Sequence, residues 1–419
     1  MRNTVFYLIV IIILFNYILG RILSYLNRKR MNFPIPDILK DVYDQEKYKK
    51  SQEYKIANDK FEFFSTTFNL ILILLMLYFK GFAFVDSIAR YLTSNPIFVT
   101  LIFFGILMFA SDILSIPFEL YDIFVIEEKF GFNKITPKLY ITDKIKSWFL
   151  SIVIGGTLLT LITWFYYSTR EYFWIYSLLL IIFFTIFINM FYSTLIVPLF
   201  NKQTPLEPGP LRDKIEEFCK KVGFNLENIY VIDSSKRSTK SNAYFSGLGK
   251  KKRIVLYDTL IKDMTPDEIV AVLAHEVGHY KLKHVLLNII TSIIYSAIVL
   301  YIFSLFADSK ALSEALGVSR PSFHIALISF AILYSPISLI IGLIMNYISR
   351  NKEFEADNYA ARYGCAEFLI SALKKLTSKN LSNLTPHPVY VFFYYSHPPL
   401  FDRVRNLIEK KNKYSQNNC

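Results

Sequence analysis

The chain alternates between long apolar runs and shorter polar ones. A helix needs about 20 apolar residues to cross a bilayer core. Seven runs approach that length: Val5–Ile22, Phe63–Tyr78, Ile97–Pro117, Trp148–Tyr167, Phe173–Leu199, Leu286–Phe306 and Phe323–Ile348. The second is the weakest, because Lys80 cuts it. The first lacks a small-residue cleavage site, and Asn16 and Arg21 lead straight into a charged loop, so it reads as a retained anchor. Two polar segments are large enough to fold outside the membrane, residues 201–284 and 349–419. They flank the last two runs, so they are expected to meet on one face. Pro205, Pro208, Gly209 and Pro210 punctuate a linker. It divides the chain into a membrane domain, 1–205, with five spans, and a second domain, 206–419, that includes the last two. The expected fold is mainly α, a multi-pass membrane protein with about seven transmembrane helices. Asn242–Phe245 and Arg253–Asp258 are β-prone and are joined by Gly247-Leu248-Gly249-Lys250-Lys251, which adds a small β-hairpin.

Composition agrees with the pattern. Hydrophobic residues make 53% and aromatic residues 17%, while charged residues make only 19%. The last figure falls below the roughly 25% of soluble proteins. Mean hydropathy is +0.33. These values exclude a disordered chain, a collagen and an ordinary water-soluble enzyme. Three cysteines, Cys219, Cys365 and Cys419, exclude a disulfide scaffold and a cysteine-based zinc cluster.

The net charge of +13 invites a nucleic-acid reading, but no basic-aromatic binding module is present, so no nucleic-acid partner is expected. The distribution of charge has a different source. Of the 47 Lys and Arg, only Arg2, Lys80, Arg90, Arg170, Lys310 and Arg320 fall in one set of alternate loops, and all the rest fall in the other. By the positive-inside rule the N-terminus lies outside and both large polar segments lie in the cytosol.

The sharpest chemical signal is His275-Glu276-Val277-Gly278-His279. Two His at i and i+4 share a helix face. Both imidazoles can reach one Zn²⁺, and the Glu between them can act on a metal-activated water. Thr265-Pro266-Asp267-Glu268 opens the helix as a capping box with Pro in the first turn. Gly278 is the only breaker in sight, so the helix is expected to run on into the sixth span. Two His and a water need a third protein ligand. His324 lies on the outer side by this topology. His284 is five residues past His279 and points about 140° away on a continuous helix. His387 sits between two prolines and reads as a loop residue. Beyond the seventh span, Glu353 and Asp357 share a helix face and Glu355 faces elsewhere. One of the pair can bind zinc and the other can accept the ring N–H of a ligand His. Asp112 lies inside a predicted span, where a carboxylate is functional or paired.

HEVGH, a seventh span and then Glu353-x-x-Ala356-Asp357 together resemble the zinc membrane metallopeptidases of the CAAX prenyl protease 1 family. Other segments agree: Ser241-Asn242-Ala243-Tyr244-Phe245-Ser246-Gly247 resembles the family's substrate strand. Tyr395-Ser396-His397-Pro398-Pro399 with Arg403 resembles its C-terminal motif, and Glu127-Glu128-Lys129-Phe130-Gly131-Phe132-Asn133-Lys134 resembles a cytosolic loop motif. The resemblance covers roughly Tyr25 to Leu407.

It implies spans arranged around a chamber beside a cytosolic gluzincin-like protease domain. One Zn²⁺ per chain would be bound by His275, His279 and Glu353, with Asp357 behind His275 or His279. Glu276 would act as general base, and His397 and Arg403 would approach the substrate carbonyl. Asn242, Ala243, Tyr244 and Phe245 would hold an extended peptide. The implied partners are a prenylated or otherwise hydrophobic peptide and the lipid bilayer. The implied location is the endoplasmic reticulum in a eukaryote and the inner membrane in a bacterium. A related reading is a zinc protease that clears misfolded membrane proteins with no prenyl requirement. A di-iron oxygenase needs clustered His that six scattered ones do not supply.

Overall fold

A computed structural model describes residues 3–224, 228–246 and 253–416. The predicted hairpin turn at 247–251 and Cys419 lie outside the described residues.

Apolar length dictates the first architectural layer. Helices α1 (Thr4–Lys29), α2 (Gln45–Tyr78), α3 (Gly81–Leu92) and α4 (Pro96–Tyr121) come first. They are followed by α5 (Pro137–Leu150), α6 (Thr157–Thr169) and α7 (Phe173–Phe191). Among the described residues, six continuous helical stretches are long and apolar enough to cross a membrane. One of these, Pro137–Phe200, is 64 residues long. It reverses at Arg170, whose backbone (φ 46°, ψ −108°) leaves the helical region, so α6 and α7 fold back on each other as two passes. Phe165 packs on Tyr176, with ring centroids 5.6 Å apart, across that reversal. The seven predicted passes are therefore present.

Neighbour contacts close these passes into a ring. Tyr17 on α1 bonds Thr67 on α2 at 2.7 Å. Phe68 on α2 packs on Phe118 of α4 at 5.1 Å. Asp112 on α4 is paired with Lys144 on α5 at 2.8 Å and accepts from the Trp148 indole at 2.7 Å. Trp174 of α7 meets Tyr301 of α10 (His284–Phe306) at 5.3 Å. Phe303 of α10 meets Phe330 of α11 (Phe323–Arg362) at 5.1 Å, and Ser335 of α11 accepts from Asn16 of α1 at 2.9 Å.

Seven helices in a ring, each about 8–10 Å from the next, leave a central space on the order of 10 Å wide. Only 6–17% of each apolar window is buried inside the protein, as expected where every helix has one face to lipid and another to a chamber. The end of the ring away from residues 201–284 is filled by a cluster that includes Phe82, Val85, Phe103, Leu316 and Ile325. There His324 bonds the Asp86 carboxylate at 2.7 Å, at the end of α11 away from Glu353.

The second layer is a compact body on α9 (Pro266–Lys281) and the end of α11. Helices α8 (Pro210–Lys221), α12 (Ala366–Lys379) and α14 (Leu400–Gln416) surround them. Cys219 and Cys365 are buried in its core with Ile269, Leu273, Ala360 and Leu369. The sheet exceeds the predicted hairpin. Strands β1 (Gln203–Pro205), β2 (Asn228–Ile232), β3 (Ala243–Ser246) and β4 (Arg253–Tyr257) lie in the order β1-β2-β4-β3. The expected β3–β4 pair is antiparallel, with Tyr244 opposite Val255. Strand β2 adds to β4 in parallel, which requires a crossover rather than a turn. Pro205 ends β1 on the outer edge, where a missing N–H costs no ladder bond.

Candidate metal centre

Local sequence builds α9 first. Thr265 caps it, its hydroxyl accepting from Glu268 N while Glu268 Oε2 accepts from Thr265 N at 2.8 Å, the reciprocal capping box. Ile269, Ala271, Leu273, Ala274 and Val277 are fully or almost fully buried, so the helix is locked on the core on several sides. Gly278 is not a breaker. A Cβ there would sit 3.2 Å from Ala356 Cα and 3.1 Å from Tyr359 Cβ, so glycine lets α9 and α11 touch. Gly278→Ala is therefore expected to cost about 1–3 kcal/mol, as overpacking does, and to loosen the metal centre by pushing the two helices apart. Thermal unfolding and metal retention read this; an unshifted midpoint with full metal content would show that the helices have room to spare.

That close approach brings three donor groups together. His275 Nε2 lies 3.2 Å from His279 Nε2. Glu353 Oε2 is 3.4 Å from the first and Glu353 Oε1 is 3.2 Å from the second. One ligand atom from each of these residues lies within 4.8 Å of the others, the spacing of a cation's inner ring. The donor set fits a metal on two further counts. Among the described residues Glu353 Oε2 is buried with no hydrogen-bond partner. Burial lowers the basicity of His275 while Asp357 and Glu353 raise it, and the balance lies high, at about 9: the cluster attracts positive charge. Two imidazoles and one carboxylate with a side open to substrate form the donor set of a catalytic zinc site.

A second carboxylate stands behind. Asp357, fully buried, accepts from His275 Nδ1 at 2.9 Å, which fixes that ring with Nε2 toward the metal position. Arg403 holds Asp357 by two bonds, Nη2 to Oδ1 at 2.6 Å and Nε to Oδ2 at 2.9 Å. Its Nη1 is 3.6 Å from Glu353 Oε2. The guanidinium is buried, so it neutralises the two carboxylates from behind instead of projecting to the open side. That differs from the place the sequence resemblance gave it. The reason is charge: two buried carboxylates on one helix face demand a buried cation.

The exposed side of the centre belongs to His397, 65% exposed, with Nε2 3.4 Å from Glu353 Oε1. A ladder along α11 fixes its segment. Asn346 donates to Phe393 O at 2.8 Å and Arg350 to Tyr395 O at 2.7 Å, anchoring α13 (Pro388–Tyr394) and the turn after it. Glu276 is half-buried on α9 and close enough to Arg403 to raise its basicity. His387 caps α13, its Nδ1 accepting from Val389 N at 3.2 Å, and stays away from the centre. Strand β3 is the edge of the sheet beside α9. Ala243 packs on the α9 core, Tyr244 turns to the opposite cluster with Val255, and Asn242 is exposed just before the strand. Phe245 lies opposite Ile254 in the register.

One expectation fails in an informative way. Helix α9 does not run on into the sixth span; it ends at Lys281. Lys283 then takes left-handed backbone (φ 62°, ψ 24°), and α10 starts at His284. The break turns His284 back under His279, so the 140° offset of an unbroken helix does not apply.

A ring of membrane helices with a three-donor metal centre on one face defines a membrane metallopeptidase. Residues 24–202 match the CAAX prenyl protease N-terminal family, described as five membrane helices, and residues 205–411 match peptidase family M48. The chain is 37% identical to a CAAX prenyl protease 1 homolog of Dictyostelium discoideum, over 92% of each chain. It is 35% identical to CAAX prenyl protease 1 of Saccharomyces cerevisiae, over 90% of each. The crystal structure of S. mikatae Ste24p superposes with a TM-score of 0.91 at 34% identity, covering 97% of this chain and 100% of that one. The chain belongs to peptidase family M48, with the CAAX prenyl proteases.

Proposed function

We propose that the protein is a zinc endopeptidase that cuts prenylated C-a-a-X proteins near their C-terminus, on the cytosolic side of the endoplasmic reticulum membrane. The carrying observation is the convergence of His275, His279 and Glu353 within 4.8 Å, beside an edge strand and a chamber of apolar helices. The relatives named above are CAAX prenyl proteases from eukaryotes. The proposed division at 205/206 separates a part with five of the seven passes from a part with the last two passes and the metal centre.

His275, His279 and Glu353 would hold Zn²⁺, which when bound would supply Lewis acidity for the hydrolysis. Glu276 accepts the proton of the attacking water and returns it to the leaving amine. His397 Nε2 donates a hydrogen bond to the carbonyl oxygen as charge builds there. Arg403 holds Asp357, and Asp357 holds His275, so the pair fixes a ligand. Asn242, Ala243, Tyr244 and Phe245 offer the free edge of β3 to an extended peptide, whose main chain pairs with it. The prenyl chain has the apolar chamber available to it.

The test compares matched peptides, one prenylated on the Cys and one plain. Cleavage of the prenylated peptide alone or far faster is the expected result. Equal cleavage of both would favour a protease of misfolded membrane proteins instead. Orientation has its own test. A single Cys at exposed Lys220 is expected to react with a membrane-impermeant reagent from the cytosolic side only, and one at exposed Asn95 from the lumenal side only. Labelling of the Lys220 position from the lumen would invert the topology.

A further inference from the structure

The mechanism above explains how His275 is oriented and leaves His279 without a support. His279 needs one for the same reason. Its Nε2 is the atom that faces His275 and Glu353, so in a neutral ligating ring Nδ1 must carry the proton. That Nδ1 lies 3.0 Å from Nδ1 of His284. Two ring nitrogens at hydrogen-bond distance share one proton. His284 Nδ1 must therefore accept, and His284 Nε2 must carry the other proton. At 2.8 Å from His284 Nε2 stands Glu355 Oε2, an acceptor. Only one arrangement satisfies every contact: His279 Nδ1–H donates to His284, and His284 Nε2–H donates to Glu355.

The fold makes this relay on purpose-built backbone. His284 is 2% exposed, wedged at the start of α10. It reaches His279 because Lys283 adopts left-handed backbone (φ 62°), a conformation that residues with a side chain rarely take. Glu355 is 59% exposed on its side chain, on the opposite face of α11 from Glu353 and Asp357.

We propose that His284 and Glu355 are positioning residues for the metal centre, holding His279 in its ligating tautomer and rotamer through a two-ring relay. This rests on the zinc reading above. The two ligand His would then be supported differently: His275 by a buried aspartate, and His279 through an intermediate imidazole that begins a membrane span.

The experiment measures zinc affinity of the purified full chain by competition with a chromophoric chelator, together with the visible spectrum of the cobalt(II)-loaded protein. Wild type should bind one metal per chain; a wild type that binds none would overturn the zinc reading and this proposal with it, whereas a metal-binding wild type leaves the variants to decide this proposal alone. Glu355→Ala and His284→Ala are each expected to weaken zinc by about 10–100-fold, as loss of a ligand's supporting bond does, and to shift the cobalt bands. Glu355→Gln keeps an oxygen that accepts from His284 and is expected to recover most of the affinity. Glu355 is exposed, so its variants fold even if His284→Ala does not. Wild-type affinity and an unchanged cobalt spectrum in Glu355→Ala would overturn the proposal. So would a Glu355→Gln variant as weak as Glu355→Ala, since the acceptor would then not be what matters.

Discussion

Glu276→Gln is expected to bind the metal as the wild type does and to lose at least about a hundredfold of its peptide cleavage. The substitution keeps the side chain's size and leaves His275, His279 and Glu353 untouched. It removes only the group that takes a proton. General-base assistance contributes about 10²–10⁴-fold to such reactions. Glu276 is half-buried and directly follows His275 in the chain. Cleavage assays on variant protein with verified metal content measure the loss. Near-normal turnover in the loaded variant would remove Glu276 from the chemistry.

Glu353→Ala should fail earlier, at metal binding itself. Two imidazoles alone hold zinc poorly, and the buried Glu353 is the proposed third donor. Its loss also leaves Arg403 with one carboxylate in place of two. Metal content and cleavage are expected to vanish together. Asp357→Asn, by contrast, keeps an oxygen near His275 Nδ1 and should weaken metal binding by about 10–100-fold without abolishing it. If Glu353→Ala kept its metal while Glu355→Ala lost it, the ligand would sit on the other face of α11.

The centre was readable where chemistry and periodicity coincide. HEVGH places two rings on one turn, and the four-residue step from Glu353 to Asp357 places both carboxylates on one face, which is where they lie. The membrane passes follow from length alone. What escaped depends on long-range contacts or on unmarked backbone. Strand β2 is a five-residue run, Asn228–Ile232, that pairs with β1 before it and in parallel with β4 beyond it, with no tight turn to mark either pairing. The break at Lys283 carries no Gly or Pro, so nothing in Tyr280-Lys281-Leu282-Lys283-His284 announces it. His284 was therefore placed on the wrong side. The usable signal was a third His within nine residues of the first. The resemblance puts Arg403 at the substrate carbonyl because the sequence does not show how deeply Asp357 is buried.

Helix α11 runs unbroken for 40 residues, from Phe323 past Glu353 to Arg362. Its apolar stretch ends near Ile348, and Glu353 follows roughly 7–8 Å further along the axis at 1.5 Å per residue. A continuous rod of this kind acts as a depth gauge: it fixes the height of the reaction above the hydrocarbon boundary, at the level of lipid headgroups. On the proposed reading, a peptide bond one residue from a lipid-buried anchor already sits at that height. A bond many residues away on a soluble protein has to be brought down to it. Selection by altitude would thus act before any side chain of the substrate is read.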